Sequence, residues 1–328
     1  MGEAGGGSGA SDTRGVSRVF PDLDDDLLLH LFHKGAKAQW TSRDLDYEPP
    51  LRLDAQQRGA LARLLTPVYF GEQTAMAGAS GILPQLMRAR ETTAQLYLAS
   101  FIMDEARHFE ALTQLYRALG HDPLGLRDIP ELLLYHHRLR QGDRADWVWG
   151  ILISDVIAKH FYRSFGLAQA DPLWAGLSKR ILRDESRHLA FAEHYLRRNV
   201  ARMEPARRQA LLGMRDDLFR LLQTMTERVR ADAATLEVDA DDYLGRVWAD
   251  VESFATRTGL TGSEPPQPPS PPPLSLEGAE PAHPQPVGEI VEPARLDPPP
   301  GRTIVEISLP DCFGCLLTLI CGRRLTTA

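Results

Sequence analysis

The sequence predicts an all-α fold: a bundle of long helices with shorter ones at its ends, followed by a proline-rich linker and a short C-terminal tail. Three observations carry this. Apolar residues recur three and four apart from about residue 22 to 260, as in "LRLDAQQRGALARLLTPVYF" and "RRQALLGMRDDLFRLLQTM", the period of a helix with one buried face. Nothing in that region alternates apolar and polar residues as a half-buried strand would. The pattern then stops, because residues 261–300 hold fourteen of the chain's 24 prolines, too many for a packed core.

Residues 1–20 open "MGEAGGGSGASDTRG", glycine-rich and polar, and are expected to be disordered, with no apolar core for a signal peptide. A helical domain is expected over residues 21–260. Pro84 with Gly78 and Gly81, then "LGHDPLGLRDIP", then "QADPLWAG" supply stop and start signals. They place long helices at roughly 54–80, 85–118, 145–168, 172–199 and 204–232, with shorter ones at the ends. Residues 261–300 read as an extended linker. Residues 301–328 form a tail whose first part reads as one β-strand, too short to fold alone. The tail carries all three cysteines, Cys312, Cys315 and Cys321. A redox dithiol, a docking strand for a reductase and an incidental apolar end remain open for it.

Bulk properties narrow the function. The 328 residues are 43% hydrophobic with a net charge of −7, enough for one large domain and without the basic surface that nucleic acid or an acidic membrane attracts. No apolar run is long enough to span a bilayer. The thiol-free body suits a reducing compartment, and a cytoplasmic location is expected.

The chemistry lies in a phrase written twice. "DEARH" begins at Asp104 and "DESRH" at Asp184. Glu105 and His108, like Glu185 and His188, leave one face of a helix a turn apart. A carboxylate and an imidazole aimed at one point can share a divalent first-row metal. Two such pairs facing each other make a two-metal site once the other two helices add one carboxylate each. Glu72 lies 33 residues before Glu105 and Asp155 lies 30 before Glu185, spacings that an antiparallel hairpin brings to one height. Both interrupt apolar stretches, where an unpaired charge is costly. The plainer readings are exposed Glu–His pairs and, for Asp155, a surface or capping carboxylate. Asp104 can orient His188, and Asp184 can orient His108, each by accepting the imidazole's second N–H, with Arg107 and Arg187 neutralising them. Solvated Asp–Arg pairs are the alternative. The run "AMAGASG" after Glu72 leaves room for a substrate or serves close helix packing. His136, His137, His160 and His194 read as surface or structural.

From Trp40 to about Tyr195 these residues resemble the ferritin-like di-metal carboxylate superfamily. Within it the chain is similar to the ribonucleotide reductase small subunit, to related ligand-binding oxidases and to arylamine N-oxygenases. The resemblance implies a ferritin-like four-helix bundle with additional helices. It implies two iron ions, or manganese with iron, held by Glu72, Glu105, His108, Asp155, Glu185 and His188, with O2 as co-substrate. Trp40 would match an electron-transfer tryptophan linked through Asp184 to His108; simple packing is the other reading. The expected function is an O2-activating oxidase or oxygenase acting on a small organic substrate. Its expected partners are an electron donor such as a ferredoxin or flavoprotein reductase, and a second copy of the chain in a homodimer. A radical-generating reductase-like subunit and a non-catalytic metal-storage protein are the alternatives. Three departures matter. Leu112 stands where radical-storing subunits place tyrosine. Ala75 replaces the valine that is crosslinked in the oxidases, and Ile181 replaces the extra histidine of the N-oxygenases.

Overall fold

In the computed structural model, which describes residues 23, 25–167 and 171–260, the chain is helical, and among the described residues there is no strand. The helices are α1 (Asp26–Lys37), α2 (Ala55–Arg88), α3 (Thr92–Leu119), α4 (Pro130–Arg140), α5 (Arg144–Phe161), α6 (Pro172–Val200), α7 (Pro205–Arg228), α8 (Arg230–Thr235) and α9 (Ala240–Arg257). α2 packs on α3 and α5 on α6, and contacts of α2 with α5 and of α3 with α6 close a four-helix bundle. α1 covers α3 and α6, while α4 lies against α7, α5 and α2. None of these helices is long and apolar enough to cross a membrane. The linker and tail readings fall outside the described residues.

Local chemistry sets the helix starts. Asp54 accepts from Gln57 N–H at 2.8 Å while the Gln57 side chain receives Asp54 N–H at 3.0 Å, a reciprocal cap for α2. Asp171 caps α6 through Trp174 N–H at 2.8 Å and also accepts Arg52 N–H at 2.7 Å. One carboxylate therefore begins α6 and pins the segment leading into α2. α3 ends at Gly120, whose φ of 70° is the left-handed turn that glycine adopts without strain.

Four boundaries differ from the sequence reading. α2 does not stop near Gly81 but runs on through Pro84 to Arg88. Pro84 is exposed, so the carbonyl it leaves unbonded faces water, while Ile82 and Leu86 remain buried against the bundle. The true stop comes at Arg90, where φ is 60° and Glu91 N–H bonds back to the Leu86 carbonyl at 3.0 Å. No long helix is expected between 118 and 145, yet Pro130 at its first turn and buried Leu132, Tyr135 and Leu139 on one face define a short amphipathic helix, α4. Beyond Phe161 the expected helix continues as a wider π turn, Tyr162–Leu167. The helix expected over 204–232 breaks at Val229 into α7 and α8.

Candidate metal centre

Each helix of the bundle delivers its own side chains to the middle: Glu72 from α2, Glu105 and His108 from α3, Asp155 from α5, Glu185 and His188 from α6. All six are buried. Ligand atoms of Glu72, Glu105, His108 and Glu185 lie within 4.8 Å of one another, and so do those of Asp155, Glu185 and His188. Glu185 belongs to both groups. His108 Nδ1 is 3.4 Å from Glu72 Oε2 and 3.7 Å from Glu185 Oε1, and His188 Nδ1 is 3.2 Å from Glu105 Oε1. The two glutamates of the repeated phrase therefore stand between the two imidazoles.

The donor set suits cations. Among the described residues, no protein atom hydrogen-bonds to the buried Asp155 Oδ2, an arrangement that is costly unless something else is bound there. Without a metal the carboxylates crowd one another. Burial, then repulsion from Glu72, pushes the Glu105 carboxyl well above the ordinary range. Burial, then repulsion from Glu185, does the same to Asp155. Burial opposes the charged form of both histidines, yet the surrounding carboxylates win, and His108 and His188 are each raised to about 10. The cluster calls for positive charge. Four carboxylates and two neutral imidazoles match two divalent first-row metals.

The opposite face of each imidazole is held by the other motif. His188 Nε2 lies 3.2 Å from Asp104 Oδ2, and His108 Nε2 lies 3.4 Å from Asp184 Oδ2. This leaves both Nδ1 atoms facing the carboxylates, the fixed-tautomer arrangement of metal-binding histidines. Arg187 bridges Asp104 at 2.8 Å and Asp184 at 2.9 Å. Arg107 bridges the same two, at 2.5 and 3.2 Å. Arg187 and both aspartates are fully buried, so these are not solvated surface pairs. Trp40 is packed and hydrogen-bonded at once. Its Nε1 donates to Asp184 Oδ2 at 2.6 Å, and its ring stacks on His108 at 6.1 Å.

Tyr162 is not singled out by the sequence, and His136 is taken there for a surface or structural residue, which the cavity corrects. Tyr162, buried on the π turn, donates its hydroxyl to Glu72 Oε1 at 3.2 Å. His136 on α4 lines a cavity of about 90 Å3 that reaches Glu72, Glu105, Asp155 and Glu185. His160 and His194 are tied to Asp250 and Asp25 at 2.8 and 2.9 Å, while His137 meets Gln141 at 2.7 Å. The small residues after Glu72 serve both roles open to them, since Ala75 and Gly78 line the cavity and Gly78 also packs closely. A Cβ on Gly78 would collide with the Trp147 indole. Leu112 and Ile181 sit in the apolar core.

No sequence family and no curated protein matches the chain. Solved structures do. A variant of an R2-like ligand-binding oxidase with anaerobically reconstituted Mn/Fe cofactor superposes with a TM-score of 0.59 at 17% identity, over 74% of this chain and 95% of that one. A second variant, reconstituted aerobically, gives 0.59 at 18% identity over 74% and 98%. A third structure of that oxidase, from a long soak, gives 0.57 at 18% over 73% and 94%. The chain has the R2-like, ferritin-like fold. The six candidate ligands come from four separate helices of this fold. The Asp155 group has three candidate ligands where the Glu72 group has four, and aspartate is one methylene shorter than glutamate. Stepwise metal titration should show the Glu72 half filling first, and Asp155→Glu should narrow the gap. Two equal affinities, unmoved by the substitution, would refute this.

Proposed function

We propose that the protein is an oxidoreductase of the di-metal type, in which two iron ions, or manganese with iron, use O2 to oxidise a small organic molecule. One observation carries the reading: the buried carboxylate cluster forms one wall of a largely apolar cavity. A storage site has no use for such a cavity. When bound, the metals supply electrons and Lewis acidity. The protein does the rest. Glu72, Glu105, His108 and Glu185 would hold one metal and Asp155, Glu185 and His188 the other, while Asp104 and Asp184 hold the imidazoles in one tautomer. Leu132, Leu139, Trp147 and Ile151 give the cavity an apolar lining. Trp40, touching Asp184 and stacked on His108, offers a route by which a ferredoxin or flavoprotein reductase delivers electrons. Leu112 cannot hold a stored radical, which weighs against a reductase-type subunit.

Protein from iron-supplied cells should carry roughly two metals per chain and, once reduced, consume O2 in a single turnover. Glu105→Ala and His188→Ala should each lose at least one metal by elemental analysis. Full metal content in both variants, or metal-loaded protein inert to O2, would overturn the reading.

A further inference from the structure

The polar groups around the cavity are arranged in one sense. Thr74 Oγ1 lies 3.0 Å from the Phe70 carbonyl and 3.1 Å from His136 Nδ1. A hydroxyl has one proton, and a carbonyl can only accept. If that proton pointed to His136, two oxygens would face each other at 3.0 Å with nothing between them. The proton therefore goes to Phe70, the backward bond that threonine makes within a helix. Nδ1 then carries the ring hydrogen and donates to Thr74, which leaves a lone pair on Nε2. Tyr135 follows the same logic. Ser154 donates to the Gly150 carbonyl at 3.0 Å, so the Tyr135 hydroxyl, 3.0 Å from Ser154 Oγ, donates to the serine. The cavity wall offers acceptors. No partner among the described residues meets His136 Nε2.

We propose that the cavity is a subsite for an uncharged, largely apolar molecule that donates one N–H or O–H hydrogen bond to His136 Nε2. The proposal rests on the oxidase reading above and adds the class of substrate to it. Supporting this, burial pushes the His136 imidazole down to about 4, so the ring is neutral at physiological pH and has no charge with which to draw a carboxylate. The one cationic residue of the lining, Arg140, is exposed. The aliphatic and aromatic side chains of Val68, Leu132, Leu139, Trp147 and Ile151 accommodate the apolar remainder.

The test uses metal-loaded, full-length protein under nitrogen and three probes followed by titration calorimetry. Pyrrole donates an N–H, furan has nearly the same shape without a donor, and benzenesulfonate is an anion that coordinates metals only weakly. Pyrrole should bind about tenfold more tightly than furan, the effect of one well-placed hydrogen bond, and benzenesulfonate should bind weakest. His136→Phe should abolish the pyrrole advantage and leave furan binding unchanged. Thr74→Val, which frees Nδ1 to lose its hydrogen, should reduce the advantage and gives the answer if the first variant does not fold. Equal binding of pyrrole and furan, binding of neither, tightest binding of benzenesulfonate, or a pyrrole preference that survives His136→Phe would each overturn the proposal. Because O2 is absent, this result is separate from the oxidase test. Metal-dependent O2 consumption without the pyrrole preference refutes the subsite alone, and the preference without O2 consumption refutes the oxidase reading alone.

Discussion

Arg187→Ala should destabilise the protein by about 3–5 kcal/mol, the range seen when one partner of a buried ion pair is removed. Arg187 lies between Asp104 and Asp184, out of reach of water. Burial opposes ionisation of Asp184, but hydrogen bonds from His108 and Trp40 and the Arg187 charge hold its carboxyl below the usual carboxylate range. The variant would thus keep two buried anions with Arg107 as their one remaining arginine bridge. Arg63→Ala is the control. Arg63 makes a bidentate pair with Asp232, but its side chain is 43% exposed, and such pairs contribute about 0–1 kcal/mol. Urea denaturation of both variants gives the comparison. Equal losses would show that the buried bridge contributes no more than a surface pair. Metal content should also fall in Arg187→Ala, because the aspartates that orient both histidines lose their anchor.

Removing the metal should reverse the pH dependence of stability. In metal-free protein His108 and His188 are raised from 6.5 to about 10. A group raised on folding contributes stability that is fully present below its unfolded value and lost as pH climbs through the folded one. Stability should therefore fall between about pH 6.5 and 10. Glu105 and Asp155, raised by burial and by neighbouring carboxylates, act in the same direction. Glu72 is lowered despite burial, chiefly by His108; its contribution is lost only in acid, below this window. The metal-loaded protein should behave oppositely, because binding requires deprotonated ligands and releases protons. Thermal melts with and without chelator should diverge as pH rises. Parallel curves would count against the cluster as a metal site.

What the sequence disclosed, and what it hid, follows from how local each signal is. Glu105 with His108 and Glu185 with His188 are legible because a helix fixes residues three apart on one face, whatever surrounds it. Glu72 and Asp155 are legible because hairpins of long helices place residues about thirty apart side by side. Beyond that, long-range packing decides. Pro84 and Gly81 look like a stop, but Ile82 and Leu86 find partners across the bundle and the helix runs on. The place of His136 is hidden because it depends on α4, a helix of 11 residues with few boundary signals of its own. The spacing of Leu132, Tyr135 and Leu139 behind Pro130 was the available signal. Tyr162 could not have been placed. Nothing in "KHFYRSFG" announces a π turn, and its partner Glu72 is ninety residues away.

The crossing of the two motifs has a consequence for heredity. Asp104 serves His188 and Asp184 serves His108, so neither phrase contains the partner that its own histidine needs. A substitution at one aspartate is felt first in the other copy, and a change there is the most direct way to answer it. The two copies cannot drift apart as duplicated segments usually do. Across descendants of this gene, Asp104 should vary together with His188, and Asp184 with His108, more tightly than either aspartate varies with the histidine four positions along its own helix.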